Sequence, residues 1–163
     1  MRAVVFTDVT ALAESLLQQI DSTSIYGVDG WTGSGKSVLA KSLSETLGAQ
    51  HFDVDTALAR DQGCYVSALD LGTVGRAINQ KTGPIFVSGI CLRRVFELIE
   101  VRATAHIYIK RMATWGWADE CEIDGSFPEV AGSSGEQLRQ EMREYHCQWR
   151  PHLSADHEFQ RFC

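Results

Sequence analysis

The sequence predicts an α/β fold: a three-layer α/β/α sandwich on a mostly parallel, five-stranded sheet. Three observations carry that expectation. Short apolar, β-prone runs alternate along the chain with segments whose apolar residues recur every three to four positions. One run, Ile85-Phe86-Val87, is continuously apolar, as suits a strand covered on both faces. A glycine-rich stretch, Gly30-Trp31-Thr32-Gly33-Ser34-Gly35-Lys36-Ser37, joins a strand-like run to a helix-like segment.

The elements follow in order. Val9, Leu12, Leu16 and Ile20 share one face of a helix over residues 8–20, which Thr7 or Asp8 can cap. Ser24-Ile25-Tyr26-Gly27-Val28 is the first strand. Leu39, Leu43 and Leu47 mark the helix after the glycine stretch, and Gly48 stops it. Residues 50–55 form a second strand ending in Asp53 and Asp55, followed by a loop to about residue 68. Asp70 caps a weak helix through Leu71, Val74 and Ile78, closed by Gly83-Pro84. The third strand is 85–87. Leu92, Val95, Phe96 and Ile99 then form a helical stripe, with Arg93 and Glu97 paired opposite. His106-Ile107-Tyr108-Ile109 is a fourth strand. Residues 111–134 read as irregular. Ser134 and Gln137 form a capping-box pattern for a helix to about residue 149, ended by Pro151. Residues 157–162 are a fifth, half-exposed strand.

At 163 residues the chain is expected to form one domain over 1–163, with 111–134 as a candidate lid. Its 44% hydrophobic and 22% charged residues are those of an ordinary globular protein. No apolar run approaches the ~20 residues that cross a bilayer, so no membrane partner and a cytoplasmic location are expected. A net charge of −6 disfavours nucleic acid, whose phosphate backbone needs a basic surface. Five scattered cysteines suit reduced thiols. His146, Cys147, His152 and His157 gather near the C-terminus, but their spacing matches no zinc motif.

Residues 30–37 form a complete phosphate-binding P-loop, with two glycines, a lysine and a hydroxyl at fixed offsets. The fold expected around it is that of a P-loop NTPase. Glycines let backbone N–H groups approach phosphate oxygens, and the helix that follows adds the positive end of its dipole. The expected nucleotide-binding set is Gly30, Trp31, Thr32, Gly33, Ser34, Gly35, Lys36, Ser37 and Val38, and the expected ligands are ATP, or another nucleoside triphosphate, and Mg2+. Lys36 reaches the β- and γ-phosphates, and the Ser37 hydroxyl binds the metal. Trp31 is expected to shape one wall of the site.

Phosphoryl transfer also needs a carboxylate beside the acceptor hydroxyl. Asp53, where the second strand ends, is favoured over Asp55 for that role and is also a candidate metal ligand, as is Asp29. Arg139, Arg143, His146 and Arg150 share a helical face, read either as a cationic wall or as a solvated surface. Trp115-Gly116-Trp117 lies where a lid falls, with packing favoured over base stacking.

Gly27-Val28-Asp29-Gly30 running into Gly33-Ser34-Gly35-Lys36-Ser37 resembles the opening of small P-loop kinases of the uridine kinase and phosphoribulokinase type. His51-Phe52-Asp53 is similar to their second-strand segment, whose aspartate serves the acceptor hydroxyl. Ile85 to Ile90, Ala105 to Ile109 and Tyr145 to Asp156 resemble their later segments. The resemblance spans most of residues 23–160 and implies an ATP-dependent kinase acting on a hydroxyl of a nucleoside, sugar or related metabolite. Two positions depart from it. Ser88 stands where those kinases carry glutamate, and only Lys110 and Arg111 begin the lid where more arginines are expected. These departures motivate an alternative: a catalytically degenerate nucleotide-binding regulatory protein.

Overall fold

The computed structural model describes residues 3–59, 64–125 and 135–162. Its strands are β1 (Val4–Phe6), β2 (Ile25–Gly30), β3 (Gln50–Asp53), β4 (Ile85–Ser88), β5 (Ala105–Ala113), β6 (Gly116–Trp117) and β7 (His157–Phe162). Its helices are α1 (Val9–Leu17), α2 (Lys36–Leu47), α3 (Tyr65–Ala68), α4 (Leu71–Asn79), α5 (Leu92–Leu98), α6 (Glu120–Asp124), α7 (Glu136–Trp149) and α8 (Pro151–Ser154). The sheet runs β1-β7-β5-β2-β4-β3 with every neighbouring pair parallel, and β6 folds back antiparallel on β5.

Alternation of side chains along each strand sends residues to two cores, one per face. On one face Val28, Phe86 and Ile107 pack with Leu12 and Leu16 of α1 and Leu39 and Leu43 of α2. On the other, Ile85 and Val87 pack with Val74 and Ile78 of α4, Val95 and Phe96 of α5, and Met142 and Tyr145 of α7. Each fully buried Leu, Ile or Phe contributes about 1.5–3 kcal/mol relative to exposure. Every residue of β4 is buried, as its unbroken apolar run predicts.

The α/β sandwich is as expected, but the sheet has seven strands rather than five. One missed strand is β1, only three residues long at the sheet edge, with Val4 and Val5 exposed. The other is β6. The stretch read as irregular from 111 opens with the end of β5, turns at Thr114-Trp115, and returns with Met112 opposite Trp117. The charges of Lys110 and Arg111 hid this extension. Both are neutralised in place: Lys110 Nζ lies 2.8 Å from Glu158 on neighbouring β7, and Arg111 pairs with buried Asp119.

Asp8 and Asp70 cap α1 and α4 by accepting from the N–H groups of Ala11 and Thr73, and Gly48 ends α2 at φ 63°. The loop expected up to residue 68 contains a 3-10 turn (Val54–Ala57) and α3. Ser134 lies outside the described residues; α7 starts after Gly135, without a side-chain cap. Arg93 donates to the Ser154 carbonyl at 2.7 Å, and no Arg93–Glu97 ion pair forms among the described residues.

Candidate functional site

Parallel strands bring all their carboxyl ends to one rim, where α/β sheets place ligands. There β2 passes through residues 30–35 into α2. Gly33 and Gly35 sit at φ 71° and 97°, a conformation that a Cβ would strain. Gly35 is closed in further: a Cβ on it would stand 2.8 Å from Arg161 Nη1. Because Gly35 is the N-cap, no side chain satisfies the first N–H groups of α2, which face outward at the positive end of a 12-residue helix. Together with the Lys36 ammonium, this donor set suits phosphate oxygens.

Lys36 is almost fully buried, and its Nζ donates to the Trp31 carbonyl at 2.9 Å. Burial pushes its pKa down, while Asp29, Asp55, Asp53 and Asp119 push it up. Ser37 Oγ donates to Asp53 Oδ2 at 2.5 Å, and Asp53 Oδ1 accepts from the Asp55 N–H at 3.1 Å. The structure thus brings three expected residues, Lys36, Ser37 and Asp53, to one place. Thr32, Gly33, Gly35, Lys36, Ser37 and Val38 all line a cavity of about 400 Å3. Asp55 and Tyr65 complete its polar wall, with the Tyr65 hydroxyl donating to Asp55 Oδ1 at 2.6 Å. On the other side of the loop, Ser34, Gly35, Val38, Ser42, Phe159 and Arg161 line a second cavity of about 300 Å3.

Other expectations change. The Trp31 side chain is 2% exposed and packs edge-on against His146, so it belongs to the core beneath the loop rather than to a wall. Asp29 turns inward. Its carboxylate accepts from the Gly30 N–H at 2.7 Å and from the Tyr145 hydroxyl, and burial raises its pKa to about 6. Ser88 is fully buried and shares a 2.9 Å hydrogen bond with His51 Nε2, beside Asp53 in strand register. The α7 stripe is not a wall at the loop. Arg139 and Arg143 pair with Glu122 and Glu136, while His146 is buried. His146 Nδ1 must carry its proton, because it lies 2.7 Å from the Met142 carbonyl; Nε2 then accepts from the Tyr108 hydroxyl at 2.8 Å. Burial holds the His146 pKa down at about 4. Trp117 packs under Lys110, whereas Trp115 is 82% exposed at the hairpin turn.

Sequence reading passed over Tyr65 and Arg161. Tyr65 has no motif, and it reaches the site because Glu141 of α7 accepts its N–H and that of Val66, at 2.6 and 3.1 Å. Arg161 lay in a strand judged half-exposed, yet its Nη1 reaches the Ser34 carbonyl at 3.3 Å.

The sequence matches no protein-family profile and no curated protein. Among solved structures, it is similar to a candidate fructose transport system kinase from Silicibacter sp. TM1040, with 15% identity, a TM-score of 0.58, and coverage of 94% of this chain and 100% of that one. It also matches an uncharacterized protein from Eubacterium ventriosum ATCC 27560, with 12% identity, a TM-score of 0.47, and coverage of 86% and 89%. Among the described residues no helix is long and apolar enough to cross a membrane. The first of these likenesses, with the sheet order and helix layers above, makes the fold that of a P-loop NTPase-like three-layer sandwich.

Proposed function

We propose that this chain is a small-molecule kinase of the uridine kinase-like type, acting in the cytoplasm. It binds ATP with Mg2+ at residues 30–38 and transfers the γ-phosphoryl group to a hydroxyl of a nucleoside, sugar or related metabolite. The observation that carries this reading is the contact of Ser37 Oγ with Asp53 Oδ2, at the uncapped start of α2 and beside Lys36. A hydroxyl and a carboxylate at that point are hard oxygen donors of the kind Mg2+ takes. The metal, held by Ser37 and Asp53, would neutralise charge on the phosphates. Lys36 stabilises the oxygens of the transferring group, and the loop N–H groups fix the phosphate chain. The cavity at Arg161 suits the nucleoside end, offering a guanidinium next to the apolar faces of Val38 and Phe159. The fold likeness to a candidate fructose transport system kinase is consistent with this chemistry.

Single-turnover transfer from labelled ATP to a panel of nucleosides and sugars tests the reading. Phosphorylated product is expected. Tight ATP binding with no transfer to any acceptor would leave the regulatory alternative. One observation favours that alternative: at the end of β4, where related kinases carry an acid, Ser88 is engaged with His51.

A further inference from the structure

The segment after β3 closes on itself. The Asp70 N–H donates to the Ala57 carbonyl at 2.9 Å, the Ala59 N–H donates to the Ala68 carbonyl at 2.8 Å, and Leu58 faces Leu69 in an antiparallel bridge. Residues 54–59 and 64–70 thus form one small unit. It carries Asp55, Leu58 and Tyr65 to the 400 Å3 cavity that they share with Lys36 and Ser37. Its far end, α3, has only four residues, and Cys64 at the N-cap gives it no side-chain cap. A helix that short does not hold itself in water.

The cap comes from α7 instead. Glu141 Oε2 accepts from the Tyr65 N–H at 2.6 Å, and its Oε1 accepts from the Val66 N–H at 3.1 Å. Glu141 is buried, and Arg94 Nη1, on a half-exposed side chain, stands 3.9 Å from Oε1. A buried carboxylate is tolerated where charge-assisted bonds replace its water, and here those bonds go to α3. One turn earlier, Gln137 Nε2 donates to the Cys64 thiol at 3.3 Å. One turn later, the Tyr145 hydroxyl donates to Asp29, just before the glycine loop, and accepts from the Arg93 N–H at 3.2 Å. Positions 137, 141 and 145 share one face of α7, and that face ties down both the cavity wall and the base of the loop.

We infer that Glu141 is a positioning residue of this site: from α7 it holds the wall formed by residues 54–59 and 64–70 against the glycine loop. Phosphoryl transfer then depends on Glu141, whereas nucleotide binding by the loop does not; this part rests on the kinase reading above. The loop's own donors, Lys36 and the N–H groups at the start of α2, are set by β2 and α2 and do not need α3. The wall does need it. Without the two Glu141 bonds α3 frays, the Tyr65 hydroxyl leaves Asp55, and that side of the cavity opens to water. Transfer to a bound compound rather than to water requires that side to be closed. Glu141 acts only through α3, since its carboxylate is not among the described groups that line the cavity.

The test uses the full chain with Mg2+ and a non-hydrolysable ATP analogue. Three quantities are read: amide hydrogen exchange over residues 65–69, affinity for the analogue, and transfer from ATP to the panel above. E141Q keeps the size of the side chain but loses one capping bond, because an amide nitrogen does not accept. Exchange over 65–69 should speed up about tenfold, with α2 unchanged, and transfer should fall about tenfold. Analogue affinity should stay within about threefold. Bound analogue should slow exchange over 65–69 in the parent and not in E141Q. C64D supplies a cap from the N-cap of α3 itself, so E141Q/C64D should regain both slow exchange and most of the transfer. Unchanged exchange in E141Q, analogue affinity that falls as far as transfer, or a double variant that recovers exchange without transfer would each overturn the inference and leave the kinase reading standing. If the parent transfers to no compound, the kinase reading falls instead. Analogue-dependent protection of 65–69 that is lost in E141Q and regained in E141Q/C64D then upholds the hold of Glu141 on the wall, and its absence overturns it.

Discussion

The two flanks of the glycine loop differ in how their charges are matched: carboxylates alone stand on one, and cations, two of them ion-paired, on the other. Toward β3 and β4 lie Asp53, Asp55 and the Tyr65 hydroxyl; toward β5 and β7 lie Lys110, Arg111 and Arg161. The difference teaches a direction. On the kinase reading proposed above, a polyphosphate on the loop would run from the flank of Arg161, which suits the nucleoside end, to the flank of Asp53 and Asp55. Arg111 is held by Asp119 and Lys110 by Glu158, while exposed Arg161 makes only a 3.3 Å contact with the Ser34 carbonyl.

The largest effect is expected where the flanks meet. Lys36→Ala removes the one buried ammonium of the loop, whose neighbours are carboxylates on both sides. ATP affinity should fall on the order of 10³-fold, about 4 kcal/mol, by calorimetric titration. A change under threefold would break the division of the loop into two flanks, because nothing else at their junction carries a positive charge among the cavity residues described.

That junction was legible in the sequence; the flanks were only partly so. A contiguous motif fixes the loop, and the Gly33 and Gly35 conformations follow from residue type. Asp53 was readable because it ends a strand next to that motif. Tyr65 and Arg161 were not, since each is brought in by a long-range contact, through Glu141 and Ser34, that leaves no local pattern. The fold shows the same split. The buried β4 is visible in its composition, whereas β1 and β6 are too short to have a period of their own.

Position 88 offers a way to sharpen the acidic flank. Replacing Ser88 by Glu looks like restoring a missing metal acid. Yet Ser88 is fully buried, is bonded to His51, and is in register with Asp53. A glutamate there loses the His51 bond and buries a second negative charge beside Asp53. Without metal, S88E should cost about 3 kcal/mol, lowering Tm by about 10 °C. With Mg2+ and ATP much of that loss should be recovered. A loss that is identical with and without Mg2+ would remove the metal from this flank. Mg2+-dependent turnover gained by S88E in an inactive parent would mark a degenerate kinase.

Beneath the charged rim lies a layer that burial discharges, and acid separates the two. His146 and His106 are each held at about 4, chiefly by desolvation, so their neutral forms stabilise the fold fully above about pH 6.5, and that contribution is lost as pH falls through 4. Asp29 acts oppositely: raised to about 6, it favours the folded state below its ordinary value, and this contribution is lost as pH rises through 6. Between pH 7 and 4, H146N should therefore lose about 3 kcal/mol less stability than the parent in urea melts, and D29N about 2 kcal/mol more. Equal acid losses in parent and H146N would place a charged imidazole beneath the loop.

Arg161 gives the smallest effect and the most direct test of direction. Its side chain is exposed, and its contact with the Ser34 carbonyl at 3.3 Å is weak, so R161A should leave the fold intact. On the kinase reading, what it removes is a solvent-exposed positive charge in the cavity proposed for the nucleoside end. ATP affinity should drop by about tenfold at low salt and by less at about 0.5 M, where screening already weakens the attraction. The acceptor KM should not move, because Arg161 lines the cavity opposite to that of Asp55. R161K should recover only part of the loss, since an ammonium keeps the charge but not the planar fork. If R161A instead raised the acceptor KM and left ATP affinity alone, the polyphosphate would run the other way across the loop, and the acidic flank would hold the nucleoside.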